Sequence, residues 1–133
     1  MELKIVHITP FYHPVIGGVE RIVQRICELL VSRDYKVSVI TYNRLRNRGV
    51  GSLPPVEEVN NVKIIRLKPH VIWSYGSYSP VLPEVLKRLK PDIVHVHVWR
   101  HPHVFQVAKL KSSMNFKAIL HVHGSFHRLK QLG

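Results

Sequence analysis

Cysteine is all but missing from this chain. Cys27 stands alone, so no disulfide can form within it and the paired Cys-x-x-Cys spacing of zinc sites is excluded. Acidic residues are scarce too: 8 Asp and Glu face 20 Lys and Arg, a formal net charge of +12 with histidine neutral. Ten histidines add to that charge below about pH 6.5. Long apolar runs are lacking, and none approaches the ~18 residues of a spanning helix. The opening Met1-Glu2-Leu3-Lys4 leads into a short apolar stretch that stops at Pro10, without the basic region, longer apolar stretch and small-residue cleavage site of a secretory leader. These absences predict a reducing, cytoplasmic setting. The charge is compatible with a peripheral place at the inner membrane face. Gly-x-Gly-x-x-Gly, the P-loop, Gly-x-Ser-x-Gly and His-Glu-x-x-His are all missing, which removes support for a nicotinamide dehydrogenase, a P-loop ATPase, a serine hydrolase and a zinc protease.

What is present fits one folded domain. The 133 residues are 45% hydrophobic and 21% charged, near the globular average and enough for a single core spanning residues 1–133. Leu3 to Thr9 reads as a strand. Val19, Ile22, Val23, Ile26, Leu29 and Leu30 then follow helical spacing, and Lys36 to Tyr42 is a second strand, which together make a βαβ unit with parallel strands. Asn43 to Asn61 carries Arg44, Arg46, Arg48, Gly49, Gly51, Pro54 and Pro55 without periodicity and reads as a long exposed loop, a candidate acceptor or partner surface. Val62 to Leu67 is a third strand. A connection bearing Trp73, Tyr75, Gly76 and Tyr78 follows, then a helix opened by Pro80 to Pro83 and closed near Lys90-Pro91. Asp92 to Val98, His101 to Lys111 and Lys117 to His123 read as strand, helix and fifth strand. The order predicts an α/β fold, a doubly wound parallel sheet of Rossmann-like type with strands buried on both faces.

In such a sheet ligands bind beyond the carboxyl ends of the strands, where strand order reverses. Gly17-Gly18 lie there, at the mouth of the first helix, where free N–H groups and the helix dipole favour a phosphate. The pair could also make only a tight turn. Glu20 in the first turn suits the dipole and could reach a sugar hydroxyl or Arg21. His95-x-His97, His101-x-His103 and His121-x-His123, followed by His127, cluster near the same strand ends. Alternation puts both members of a strand pair on one face, so each could chelate a metal. The nearest acid, Asp92, lies at the wrong end of its strand, and no metal ligand is assigned. Cys27 falls on the apolar face of the first helix and reads as a buried, inert thiol. The basic surplus points to an anionic partner, whether a phosphorylated metabolite or an anionic lipid surface, or serves solubility alone. Nucleic acid is disfavoured, because Arg44, Arg46 and Arg48 with Trp73, Tyr75 and Tyr78 give only a loose version of the needed interleaving.

Three segments carry a resemblance: Pro10 to Arg21 (PFYHPVIGGVER), Pro91 to His97 (PDIVHVH) and Leu120 to Gly124 (LHVHG). With them, residues 3 to about 127 resemble the N-terminal, acceptor-side half of the glycogen-synthase-like, family-four glycosyltransferases of the two-domain GT-B architecture. The resemblance implies transfer of a sugar, with retention, from a nucleotide-sugar donor to a hydroxyl on a glycan or lipid-linked acceptor, without a cofactor or required metal. It implies that Gly17 and Gly18 offer N–H groups to the donor diphosphate and that His123 is catalytic, touching the donor hexose. His97 would line the cleft, with Glu20, Arg21 and the loop after Tyr42 toward the acceptor. The family's nucleotide-holding C-terminal domain is absent from these residues, and the first domain itself looks truncated. The chain alone is therefore expected to be inactive and to self-associate through its fifth strand. The alternative from another class is a noncatalytic, anion-binding Rossmann-like interaction module; a metal-binding module ranks third.

Overall fold

β-Branched residues are frequent in Lys4–Ile8 (β1), Lys36–Tyr42 (β2), Val62–Leu67 (β4) and Ile93–His97 (β7), and each forms a strand of one sheet. The computed structural model describes residues 3–45, 51–73, 76–98 and 100–123. Among the described residues two further strands join this sheet, Val56–Val59 (β3) and Lys117–His121 (β8), in the order β3-β4-β2-β1-β7-β8. All neighbours are parallel except the β3–β4 pair. The chain builds outward from β1 through β2 to β4, then returns to β7 on the other side of β1. The switch point of this Rossmann-like sheet therefore lies between β1 and β7.

Period-two alternation splits the core between the two faces. Val6, Ile8, Ile40, Tyr42, Val94 and Val96 form one cluster with residues of Leu82–Leu89 (α2) and Pro102–Lys111 (α3). Val37, Val39, Val62 and Ile64 pack on the opposite face against Val23 and Cys27 of Gly18–Ser32 (α1). The buried stripe of α1 is narrower than its spacing implies, since Ile22 and Leu29 are exposed. Proline in the first turn starts α2 and α3. Left-handed Lys90, at φ 50°, ends α2 just before Pro91. Phe105, on the outer side of α3, stays 73% exposed.

Two expectations are corrected. The segment from Asn43 to Asn61 is not a continuous exposed loop, because β3 occupies Val56–Val59 and turns into β4 through Asn60 and Asn61, at φ 52° and 65°. Asparagine accepts that left-handed turn, whose twist suits a two-residue hairpin. Arg44 is buried, its Nη1 donating to the carbonyls of Trp73 and Gly76 and to Ser77 Oγ, with its guanidinium over the Phe11 ring. It clamps the short hairpin of Val71–Ile72 (β5) and Ser77–Tyr78 (β6). The second correction is that burial on both faces fails for β8, an outer strand whose Ile119 and Leu120 are about half exposed. Arg46, Arg48, Gly49, Tyr75, Gly124 and His127 lie outside the described residues.

Candidate functional site

The segment after β1 carries the first part of the site. Thr9 Oγ1 donates to the Phe11 carbonyl, and Arg66 on β4 donates through Nη2 to the His13 carbonyl at 2.8 Å. The same buried guanidinium bonds Pro54 O at 3.0 Å and Glu57 Oε2 at 2.7 Å, so a strand two places away anchors the approach to α1. Gly17 caps α1 in an extended conformation that any residue adopts, and its carbonyl accepts the first helical bond from Arg21 N–H. The N–H groups of Gly18 and Val19 precede any intrahelical acceptor. A Cβ on Gly18 would meet nothing within 4 Å, so the helix mouth is open. Glu20 is buried, at 4% exposure, and Arg21 is exposed beside it.

The second part is a ladder of imidazoles on the α1 side of β1, β7 and β8. Register sets it: His7 lies opposite His95, and His97 opposite His121. Where the other face of β7 presents Val94 and Val96, this face presents His95 and His97. Rings stack along each strand, with centroids 4.2 Å apart for His95 and His97 and 3.9 Å for His121 and His123. Across the strands His7 Nδ1 stands 2.9 Å from His97 Nε2, His97 Nδ1 3.0 Å from His123 Nε2, and His95 Nε2 3.2 Å from His121 Nδ1. His97 is fully buried at the centre of this row, whereas His123 at its end is half-buried.

Burial holds His7, His95, His97 and His123 neutral. Desolvation, reinforced by repulsion from neighbouring imidazoles, pushes His7 down to about 3 and His95 down to about 4, and drives His97 and His123 below the ordinary histidine range. Two neutral rings that meet nitrogen to nitrogen share one proton, so the tautomers of His7, His97 and His123 are coupled. The ring nitrogen of His123 left outside the row then acts as donor or acceptor according to the state of the buried pair. One ring nitrogen from each of His7, His95 and His97, and from each of His97, His121 and His123, also fall within 4.8 Å of one another. These are the two groups among the described residues that could hold a metal ion.

Of the residues singled out in the sequence, Gly17, Gly18, Glu20 and Arg21 open one helix, and His97 and His123 follow parallel strands to the same edge of the sheet. His101 and His103 belong elsewhere. His101 Nε2 accepts from Ser77 N–H at 3.0 Å, while His103 Nε2 donates to the His97 carbonyl at 2.7 Å, and both are fully buried at the start of α3. Sequence reasoning did not find His7, although a histidine in an otherwise apolar strand was a visible signal, nor Arg66. Cys27 is buried as expected, its thiol pushed up to about 12 chiefly by desolvation.

Comparisons with known proteins bear on the family and the fold. The family model described as Glycosyltransferase Family 4 matches residues 16–133. A curated protein of Xanthomonas oryzae pv. oryzae (strain PXO99A), GDP-mannose:cellobiosyl-diphosphopolyprenol alpha-mannosyltransferase, is 29% identical over 102 residues, covering 71% of this chain and 24% of that protein. The chain thus spans about a quarter of that relative's length. Sucrose-phosphate synthase from Thermosynechococcus elongatus is similar in fold, with a TM-score of 0.59 at 19% identity over 92% of this chain and 33% of that one. The sheet order, the open helix mouth at its switch point and a family match over most of the sequence lead to one assignment: this chain belongs to Glycosyltransferase Family 4.

Proposed function

We propose that this chain is the acceptor-side half of a retaining glycosyltransferase that moves a sugar from a nucleoside diphosphate donor to a hydroxyl on a lipid-linked glycan. The observation that carries the reading is the convergence of the open α1 mouth and the His97–His123 row on one edge of the sheet. The N–H groups at Gly17 and Gly18 face the donor diphosphate, where the helix dipole stabilises the charge that builds as the glycosidic bond breaks. His123 contacts the donor hexose through its outer ring nitrogen, and His97, locked by His7, orients it. Arg21, exposed, and Glu20, buried in the same first turn, lie on the acceptor side. The donor and acceptor named for the Xanthomonas relative, GDP-mannose and a diphosphopolyprenol-linked glycan, are the compounds to try first. The +12 charge supports attraction to an anionic membrane surface that would present such an acceptor. No cofactor is proposed for transfer.

The test separates the two halves of the reaction. Residues 1–133 alone should bind a polyprenol-diphosphate glycan in micelles, bind GDP-mannose weakly or not at all, and show no turnover. Mixed with a separate family-four C-terminal domain, they should transfer mannose, and His123→Ala should lower the rate by about 10²-fold or more. Turnover by residues 1–133 alone, or tight donor binding without acceptor binding, would overturn the assignment of roles. Among the described residues β8 is an outer strand, and we propose that it pairs with a second copy of the chain. A strictly monomeric sedimentation profile at high concentration counts against that pairing.

A further inference from the structure

We infer that the imidazole ladder is a binding site for one divalent late transition ion, with zinc as the natural candidate, held by His97, His121 and His123. One ring nitrogen of each lies within 4.8 Å of the other two. The facing nitrogens of His97 and His123 are 3.0 Å apart. An ion bound tetrahedrally at the usual zinc–nitrogen length would hold them about 3.3–3.4 Å apart, so occupancy asks for a shift of a few tenths of an ångström. Imidazole ligands without a carboxylate select zinc, nickel, cobalt or copper over magnesium and calcium, which need oxygen ligands.

The surroundings resemble the outer shell of a metal site. A ligating histidine is oriented by a partner at its second nitrogen. His97 has one in His7, 2.9 Å from its Nε2, which leaves Nδ1 toward the ion. His121 has one in His95, which meets its Nδ1 at 3.2 Å and fixes the ring.

The alternative trio of His7, His95 and His97 shares His97 and is deeper, with His7 and His97 both fully buried. With two of its three rings fully buried, it is the less accessible of the two. His121 and His123 are half-buried, so the outer trio leaves a fourth position open to water or to an oxygen of a ligand. The site stands on ring geometry alone and does not depend on the chain's part in sugar transfer.

The experiment is a titration of tag-free, chelator-stripped protein with zinc chloride, followed by calorimetry and by competition with a chromophoric chelator, and repeated with cobalt for the visible spectrum of a tetrahedral ion. One zinc per chain is expected. His121→Gln and His123→Gln, at half-buried positions that should tolerate the change, should each weaken binding by more than the ~10–100-fold that loss of an outer-shell partner costs. His70→Gln, at an exposed histidine, should leave binding unchanged, and circular dichroism of each variant confirms folding. Less than a tenth of an ion per chain overturns the proposal. So does affinity unmoved in both His121→Gln and His123→Gln, and so does binding lost in His95→Gln but kept in those two, which would move the ion to the inner trio.

Discussion

Val98 shows how much a single residue is asked to do at this edge of the sheet. It takes φ 70°, a left-handed conformation that costs a β-branched side chain ~1–2 kcal/mol. Its N–H bonds the His121 carbonyl at 3.1 Å and its own carbonyl receives His101 N–H at 3.3 Å, so β8 and the start of α3 hold it on both sides. That kink carries the chain from His97 in the ladder to His101 at the N-cap of α3. Replacing Val98 with glycine should relieve the strain and, after glycine's own entropic cost, raise stability by about 1 kcal/mol in urea unfolding. An unchanged or lower midpoint would show that no strain is stored there. His101 makes the opposite demand. A neutral ring has one proton, and the 3.0 Å bond from Ser77 N–H claims the lone pair of Nε2, so Nδ1 carries the proton and the 3.3 Å approach of His103 N–H to it is not a bond. His101→Phe keeps a ring beside Tyr42 and Trp73 but leaves the Ser77 N–H buried without its acceptor. A loss of about 1–3 kcal/mol is expected from the same melts, and wild-type stability in this variant would mean that the Ser77 amide finds another partner.

Among the elements, β4 reaches furthest. Its Arg66 joins the β3 edge, through Glu57 and the Pro54 carbonyl, to the segment ahead of α1, through the His13 carbonyl. Arg66→Met should keep the packed stem while removing these bonds. Breaking a fully buried ion pair costs about 3–5 kcal/mol, but the Glu57 side chain is 33% exposed and water can take over part of its solvation, so about 2–3 kcal/mol is expected. Amide signals of residues 11–18 should shift together in a nitrogen–proton NMR spectrum; movement confined to β3 would mean that Arg66 does not anchor the α1 mouth. Nothing in the local sequence marked this arginine, because its partners lie 9 to 53 positions away. The βαβ core was legible, since β-branched runs, the α1 stripe and the prolines bounding α2 and α3 are local signals. β3 was also local, but the Asn60-Asn61 turn was lost inside a stretch dominated by Arg, Gly and Pro. Of the site, His-x-His alternation showed that His95 and His97 share a face. Only strand order and register reveal that His7 and His121 join them, because neither is encoded within one segment.

For the whole molecule, the burial of so many neutral histidines in a strongly basic chain ties stability to pH. Burial pushes His7 to about 3, His101 to about 2 and His103 to about 4, while in the unfolded chain each returns to its ordinary value near 6.5. All three are fully buried, so little solvent screening tempers the effect. The sign follows from proton counts. Above about pH 6.5 both states are neutral at these rings and stability is at its plateau. Between 6.5 and the folded values, the unfolded state binds protons that the native state refuses, so acid favours unfolding. Each such ring removes ~1.4 kcal/mol per pH unit. If only two of them behave independently, the drop from pH 6.5 to 5 is about 3 kcal/mol, a large share of the ~5–15 kcal/mol that holds a domain together. Mutual repulsion in a chain already at +12 works in the same direction. Thermal melts from pH 7.5 to 4.5 should therefore be flat near neutrality and fall steeply below about pH 6. His101→Phe, although less stable throughout, should show a shallower fall by about one proton's worth of slope. A melting temperature constant to pH 4.5, or a His101→Phe slope equal to that of the parent, would show that these rings bind protons without unfolding the sheet they line.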